Sequence, residues 1–302
     1  MKRTLRKITA FMSAAAMMAQ LSFTGVAFAE DSSQNATKFV FSDDEITVTV
    51  GDYSGYKISG TALTINASGT YEVSGSCTDG SITVKKGTEG VNLILDGLTL
   101  ASSDTAPLCF NKSSEVTLTA NENTVNTFYD TEKNNDDTYA DNENAENAVI
   151  KCKDGSDVRI NGSGTINITA NGKNGIKSGA ATEEDGDAFL TIDGVTLNIT
   201  APVNDAINAE NLLTVKSGTL NISAADDALH SDYKLVIGTK DNTSEPRINI
   251  RSCYEGLEGA NVEIYSGDIE IHSEDDGINA ANPDLLILYD IINTPKLQLL
   301  QC

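Results

Sequence analysis

From residue 195 to 280 the chain repeats one pattern of apolar and polar positions. VTLNITAPVNDAINAENLLTVKSG, TLNISAADDALHSDYKLVIG, RINIRSCYEGLEGANVEIYSG and DIEIHSEDDGINAAN are four versions of it. Each has a run of alternating apolar residues, an acidic pair or near-pair, a small-apolar-polar-small step, and a second alternating run that ends in glycine. Alternation with a period of two is the mark of a half-buried strand. The apolar residue after the acidic element falls at Ile176, Ile207, Leu229, Leu257 and Ile278, at separations of 31, 22, 28 and 21 residues. The unit is therefore 21–22 residues long, and the longer gaps carry the insertions GAATEEDGDAF (179–189) and TKDNTSEP (239–246). A fixed period of this length predicts a solenoid whose coils bury their apolar faces against one another. The leucine-rich repeat has a similar length, but its Leu/Asn ladder is missing. The pattern predicts an all-β chain, a right-handed parallel β-helix.

The alternation also names the inward positions. Ile166 and Ile168, Leu197 and Ile199, Leu220 and Ile222, Ile248 and Ile250, and Ile269 and Ile271 are expected to stack as aliphatic ladders. Thr165, Thr196 and Thr219, with Asn167, Asn198 and Asn221, are expected to form polar ladders on the outward face. Residues 46–97 read as degenerate coils suited to a terminal cap, which must not leave a strand edge open. The stretch YDTEKNNDDTYADNENAEN (129–147) has no aliphatic residue except alanine and reads as a long loop budding from one coil. No window has helical spacing.

The two ends differ from this body. MKRTLRK, an apolar run from Ile8 to Phe28 and Ala27-Phe28-Ala29 form a secretory signal peptide, residues 1–29, which implies a secreted protein. Residues 30–38 read as a disordered polar leader, 39–282 as the β-helix, and 283–302, rich in bare apolar residues, as a truncated or frame-shifted tail. No later apolar run is long enough to span a bilayer. The formal charge is −23, and the four basic residues of the leader make the remainder more acidic still. Such a field repels nucleic acid and anionic membranes and attracts cations. The five cysteines are odd in number and lack zinc spacing. Cys109, Cys152 and Cys253 lie in or beside strand-like runs and are expected to be buried thiols, with a disulfide as the alternative. His230 and His272 are expected at the coil surface.

Stacked coils bring Asn204-Asp205, Asp226-Asp227, Tyr254-Glu255 and Asp275-Asp276 to one corner. Strands lie about 4.8 Å apart, so successive carboxylates repel one another. Calcium, which takes six to eight oxygen ligands, would relieve that repulsion. Asp and Asn also populate tight turns for local backbone reasons, and that alternative stays open.

Residues 147–180, NAVIKCKDGSDVRINGSGTINITANGKNGIKSGA, with the coils that follow and the G-x-G-T step at Gly162–Thr165, resemble a family of secreted bacterial carbohydrate-binding β-helix proteins described from cellulolytic clostridia. The resemblance covers roughly residues 40–282. It implies a calcium-dependent, monomeric binder of plant cell-wall polysaccharide, cellulose or polygalacturonate, and a structural likeness to pectate lyases. Carried over by motif, the candidate calcium ligands are Asp205, Asp226, Asp227, Glu255, Asp275 and Asp276. Lys177, Tyr233 and Tyr254 are the candidate sugar contacts, with Tyr265 as a third member of a short aromatic strip. Two other functions stay open: a pectate-lyase-like enzyme using a Lys or Arg base near the corner, and an adhesin-like solenoid that presents its loops.

Overall fold

The computed structural model describes residues 36–51, 54–182, 188–241 and 245–282, and the backbone of 286–288 and 296–301. The stretch read as a signal peptide, the leader before residue 36 and, in the stretch read as a tail, residues 283–285, 289–295 and 302 lie outside the described residues. Those residues hold 26 strands and no helix. From Val91–Ala101 onward every strand pairing is parallel, and most strands pair with the strands one coil before and one coil after. The result is a solenoid with three ladders.

The first ladder stacks Val125–Tyr129, Thr165–Thr169, Thr196–Ala201, Thr219–Ala224, Arg247–Ser252 and Asp268–Ser273. The second stacks Ala148–Cys152, Asn174–Ser178, Ile207–Ala209, the start of Leu229–Ile237, the start of Leu257–Ile264, and Ile278–Ala280. The third stacks Glu115–Ala120, Asp157–Gly162, Phe189–Asp193, Leu212–Val215 and the second halves of the two long strands. The backbone of Leu286–Leu288 continues the third ladder and that of Lys296–Gln301 the first.

The expected inward residues are the core. Ile166, Ile168, Leu197, Ile199, Leu220, Ile222, Ile248, Ile250, Ile269 and Ile271 are all buried and in register. Burying one such side chain contributes about 1.5–3 kcal/mol, and each layer repeats the gain. On the outward side of the same strands the asparagines form an amide ladder. Asn198 Nδ2 donates to Asn167 Oδ1 at 2.8 Å, and Asn221 Nδ2 to Asn198 Oδ1 at 2.9 Å. The ladder runs on to Asn249 at 3.4 Å. The first ladder therefore presents rows of half-buried Thr and Asn. One end of this face sinks into a groove of about 440 Å³ lined by Thr219, Asn221, Arg247, Asn249, Asp268 and Glu270.

The antiparallel pairings are confined to the first part of the chain. Thr37–Phe41 pairs with Ile46–Val50, and Tyr56–Ser59 with Ala62–Ile65. They cover the edge of the first coils, as the degenerate pattern of 46–97 suggested. The first strand starts inside the stretch read as leader, and Ala36 and Thr37 are buried.

Residues 130–147 do form a loop, but it is stapled down rather than budding free. Asp130 and Asn134 are buried. Asp130 accepts from the Asn171 and Gly172 amides and from Asn134 Nδ2, while Asn134 Oδ1 accepts from the Glu146 and Asn147 amides. Burial raises the Asp130 pKa against these bonds. Cys77, Cys109, Cys152 and Cys253 are buried free thiols.

Candidate functional site

The corner between the first and second ladders is built by backbone hydrogen bonds that continue the coil register. The Gly175 amide donates to Asp205 O at 3.0 Å, Ala206 to Asp227 O at 2.9 Å, Ala228 to Glu255 O at 3.0 Å and Gly256 to Asp276 O at 2.9 Å. Asn174, Asp205, Asp227, Glu255 and Asp276 thus occupy equivalent positions in successive coils. The residue after each is small, Gly or Ala, and at Gly175 and Gly256 the reason is steric. A Cβ at Gly175 would lie 2.5 Å from Ala206 O, and one at Gly256 2.4 Å from Gly277 O. The small step that recurs in the sequence is the price of closing a corner this tightly.

The acidic residues do not all behave alike. Carboxylate oxygens of Asp205, Asp226 and Asp227 come within 4.8 Å of one another across two coils. Asp205 and Asp227 are buried and Asp226 is exposed. Asp205 Oδ2 accepts from Asn208 Nδ2 at 2.6 Å, and Oδ1 from the Asp227 amide at 3.1 Å. Burial nevertheless raises its pKa, and the Asp226 charge adds to the shift. Glu255, also raised by burial, accepts from Asn279 Nδ2 at 2.8 Å. Asp275 and Asp276 continue the column at the exposed edge, outside the cluster.

The cluster suits a hard cation by its donors. It offers three carboxylate oxygens and no sulfur, the ligand class that calcium takes. Asp205, Asp226 and Asp227 would hold the ion. Three protein oxygens fall short of six to eight, which leaves room for water or for oxygens of a ligand.

The second ladder carries a parallel outward row three residues further on: Lys151, Lys177, Asn208, His230, Glu258 and Asn279. Lys177 belongs to this row and not to the acidic column. Its Nζ pairs with Glu210 at 3.3 Å. Its neighbour Lys151 has a pKa lowered by burial and by the Lys177 charge.

His230 is not the plain surface residue expected of it. Its Nδ1 lies 3.0 Å from Asp227 Oδ2 and 2.5 Å from Glu258 Oε2, and its Nε2 lies 2.9 Å from Asp232 Oδ1. These contacts, Asp227 first, raise its pKa to about 10. Position three after the acid is Asn208, His230, Glu258 and Asn279 in successive repeats, so aligning the units exposes the row.

The aromatic strip does not form. Tyr254 is exposed on the acidic corner, where its amide donates to Asp226 O and its hydroxyl to Asp275, which raises the phenol's pKa. Tyr233 is exposed at the other bend, where its strand passes from the second ladder to the third. Tyr265 is buried, donates to Glu263 at 2.5 Å and packs under Lys240.

The chain belongs to the family of carbohydrate-binding domain-containing proteins, whose model matches residues 59–287. A carbohydrate-binding domain-containing protein of Acetivibrio thermocellus is 28% identical over 260 residues, 73% of this chain and 86% of the relative. A polysaccharide lyase-like protein from C. thermocellum, solved as a gadolinium derivative, superposes with a TM-score of 0.61 at 23% identity, over 88% of this chain and 97% of the other. That likeness concerns the fold.

Proposed function

We propose that this is a secreted, non-catalytic, calcium-dependent binder of plant cell-wall polysaccharide, polygalacturonate or cellulose, acting as a monomer. The observation that carries the reading is the convergence of the Asp205, Asp226 and Asp227 oxygens within 4.8 Å, from two neighbouring coils. A bound calcium ion would neutralise the corner and offer its open positions to carboxylate or hydroxyl oxygens of a sugar chain. The protein's part is to hold three oxygens on a rigid corner and to present Tyr254 beside them. The Thr and Asn rows repeat at the strand spacing of about 4.8 Å. This is close to the length of one sugar in an extended chain, so a polysaccharide lying along the solenoid meets equivalent donors at each coil. The right-handed sense of the coil belongs to this proposal and follows the strong preference for right-handed connections between parallel strands.

Retention on insoluble pectate and cellulose, with and without chelator, tests the reading. Retention lost in chelator and restored by calcium is the expected result. Equal and negligible retention in both overturns it.

One observation favours a second reading, β-elimination. Lys151 stands on the row beside the corner, and burial and the Lys177 charge lower its pKa, the direction a lysine general base requires. Unsaturated product absorbing in the ultraviolet, formed from polygalacturonate by wild type and lost in Lys151→Ala, would establish it.

A further inference from the structure

The all-oxygen cluster makes no use of a nitrogen donor, yet one is built into its edge. His230 follows Asp227 by three residues, and Glu258 enters from the next coil directly opposite His230 in the ladder. Ligand atoms of Asp227, His230 and Glu258 all lie within 4.8 Å of one another. Nδ1 is the atom on which they converge, at 3.0 Å from one carboxylate and 2.5 Å from the other.

Two features of this arrangement point to a ligand. The first is the partner of the other ring nitrogen. Nε2 faces Asp232 Oδ1 at 2.9 Å, so both ring nitrogens face carboxylates, and a metal ion taking the place of the Nδ1 proton would leave the Nε2–H bond to Asp232 intact. A carboxylate behind a histidine is the usual outer partner of a metal-bound imidazole, and it fixes both tautomer and ring orientation. The second is the count of charges. Two carboxylates meet at a nitrogen that carries at most one proton, and that proton answers only one of them well. A divalent ion at the same point would accept all three donors at once.

The donors decide the class of ion. Imidazole suits zinc, copper and nickel, whereas calcium and magnesium take oxygen. Zinc bonds of about 2.0–2.2 Å hold ligand atoms slightly more than 3 Å apart, so Nδ1 and Glu258 Oε2 must open by somewhat under an ångström. The Glu258 side chain is 29% exposed and has room to do so. Three protein ligands leave a fourth position, and the partial exposure of His230 and Glu258 turns it outward.

We propose that Asp227, His230 and Glu258 form a binding site for a divalent transition-metal ion of the zinc type, with a fourth position open to solvent or ligand. The site shares Asp227 with the calcium reading but does not depend on it, because its selectivity comes from His230.

Cobalt(II) is the probe, added to the tag-free mature chain and followed by its visible absorption. Wild type is expected to bind one equivalent with the intense bands of a four-coordinate ion, to lose them on adding zinc, and to keep them in millimolar calcium. His230→Gln is expected to weaken binding at least tenfold, while His272→Gln leaves it unchanged. Should His230→Gln fail to fold, Glu258→Gln, which removes one of the two opposed charges, gives the same reading. Equal cobalt affinity in wild type and both variants overturns the proposal. So does displacement of cobalt by calcium at comparable concentration, which would assign the binding to the all-oxygen cluster alone.

Discussion

The most decisive perturbation is Asp205→Asn, because its effect on stability should change sign with calcium. Asp205 is 3% exposed and accepts two hydrogen bonds, from Asn208 Nδ2 and from the Asp227 amide. Its pKa is raised because burial outweighs those bonds, so without a cation the buried charge opposes folding. Asparagine keeps the shape, keeps one acceptor for the Asp227 amide and removes the charge. In chelator the variant is therefore expected to melt no lower than wild type. A carboxyl whose pKa is raised in the folded state contributes stability that is present below its unfolded pKa and is lost as pH rises through the folded value. Acidifying from neutral pH should accordingly stabilise wild type in chelator more than the variant. With calcium at 100 times its dissociation constant, mass action adds about 2.7 kcal/mol to wild type. For a chain of this size that is a rise of roughly 5 °C in Tm. The variant, short of one of three ligands, should gain less than about a third of it. Circular-dichroism melts of both proteins in the two buffers measure all four quantities. Equal calcium shifts in the two proteins would refute the assignment of Asp205 as a ligand. A variant clearly less stable in chelator would refute the claim that its charge is a burden.

Three further outcomes follow from named contacts. Gly218→Ala places a Cβ 2.3 Å from Val195 O at φ +99°, whereas Gly60→Ala, at φ +60°, meets nothing within 4 Å. Urea unfolding should show a loss above about 2 kcal/mol for the first and about 1 kcal/mol for the second. Burial pushes the Cys109, Cys152 and Cys253 thiols up to about 12, so at pH 8 they are protonated and should react with Ellman's reagent only after unfolding. Tyr254→Ala should weaken retention on pectate several-fold, the worth of one aromatic contact of about 0.5–1.5 kcal/mol, while Tyr233→Ala at the other bend should leave it within twofold.

What the sequence disclosed, and what it concealed, follows from where the periodicity lies. Ile199, Ile222 and Ile250 were legible because a strand alternates faces strictly, so pattern and burial are one fact. The corner was legible because the acid recurs at a fixed place in each unit. Aligning the units puts His230 and Glu258 in one row, but that position carries Asn, His, Glu and Asn in turn, so its changing chemistry gives no sign that the two side chains meet. Tyr265 was misplaced for a related reason: its repeat position suggested a surface strip, but its ring lies inside a turn under Lys240. The Asp130 and Asn134 staple has no period at all, and a polar stretch reads as free chain until its buried partners are seen.

The direction of the ladder bonds has a mechanical consequence. Every parallel hydrogen bond between coils runs along the solenoid axis, so a pull along that axis loads the coils one after another and not together. If the chain is tethered at one end while it holds a glycan, it should yield in steps. Each step would release one coil of 21 to 31 residues, or roughly 70–110 Å of extended chain. The amide ladder from Asn167 to Asn249 would then act as a series of latches, the weakest at Asn249, where the bond is longest at 3.4 Å. The molecule would lengthen under load and still keep its remaining coils folded.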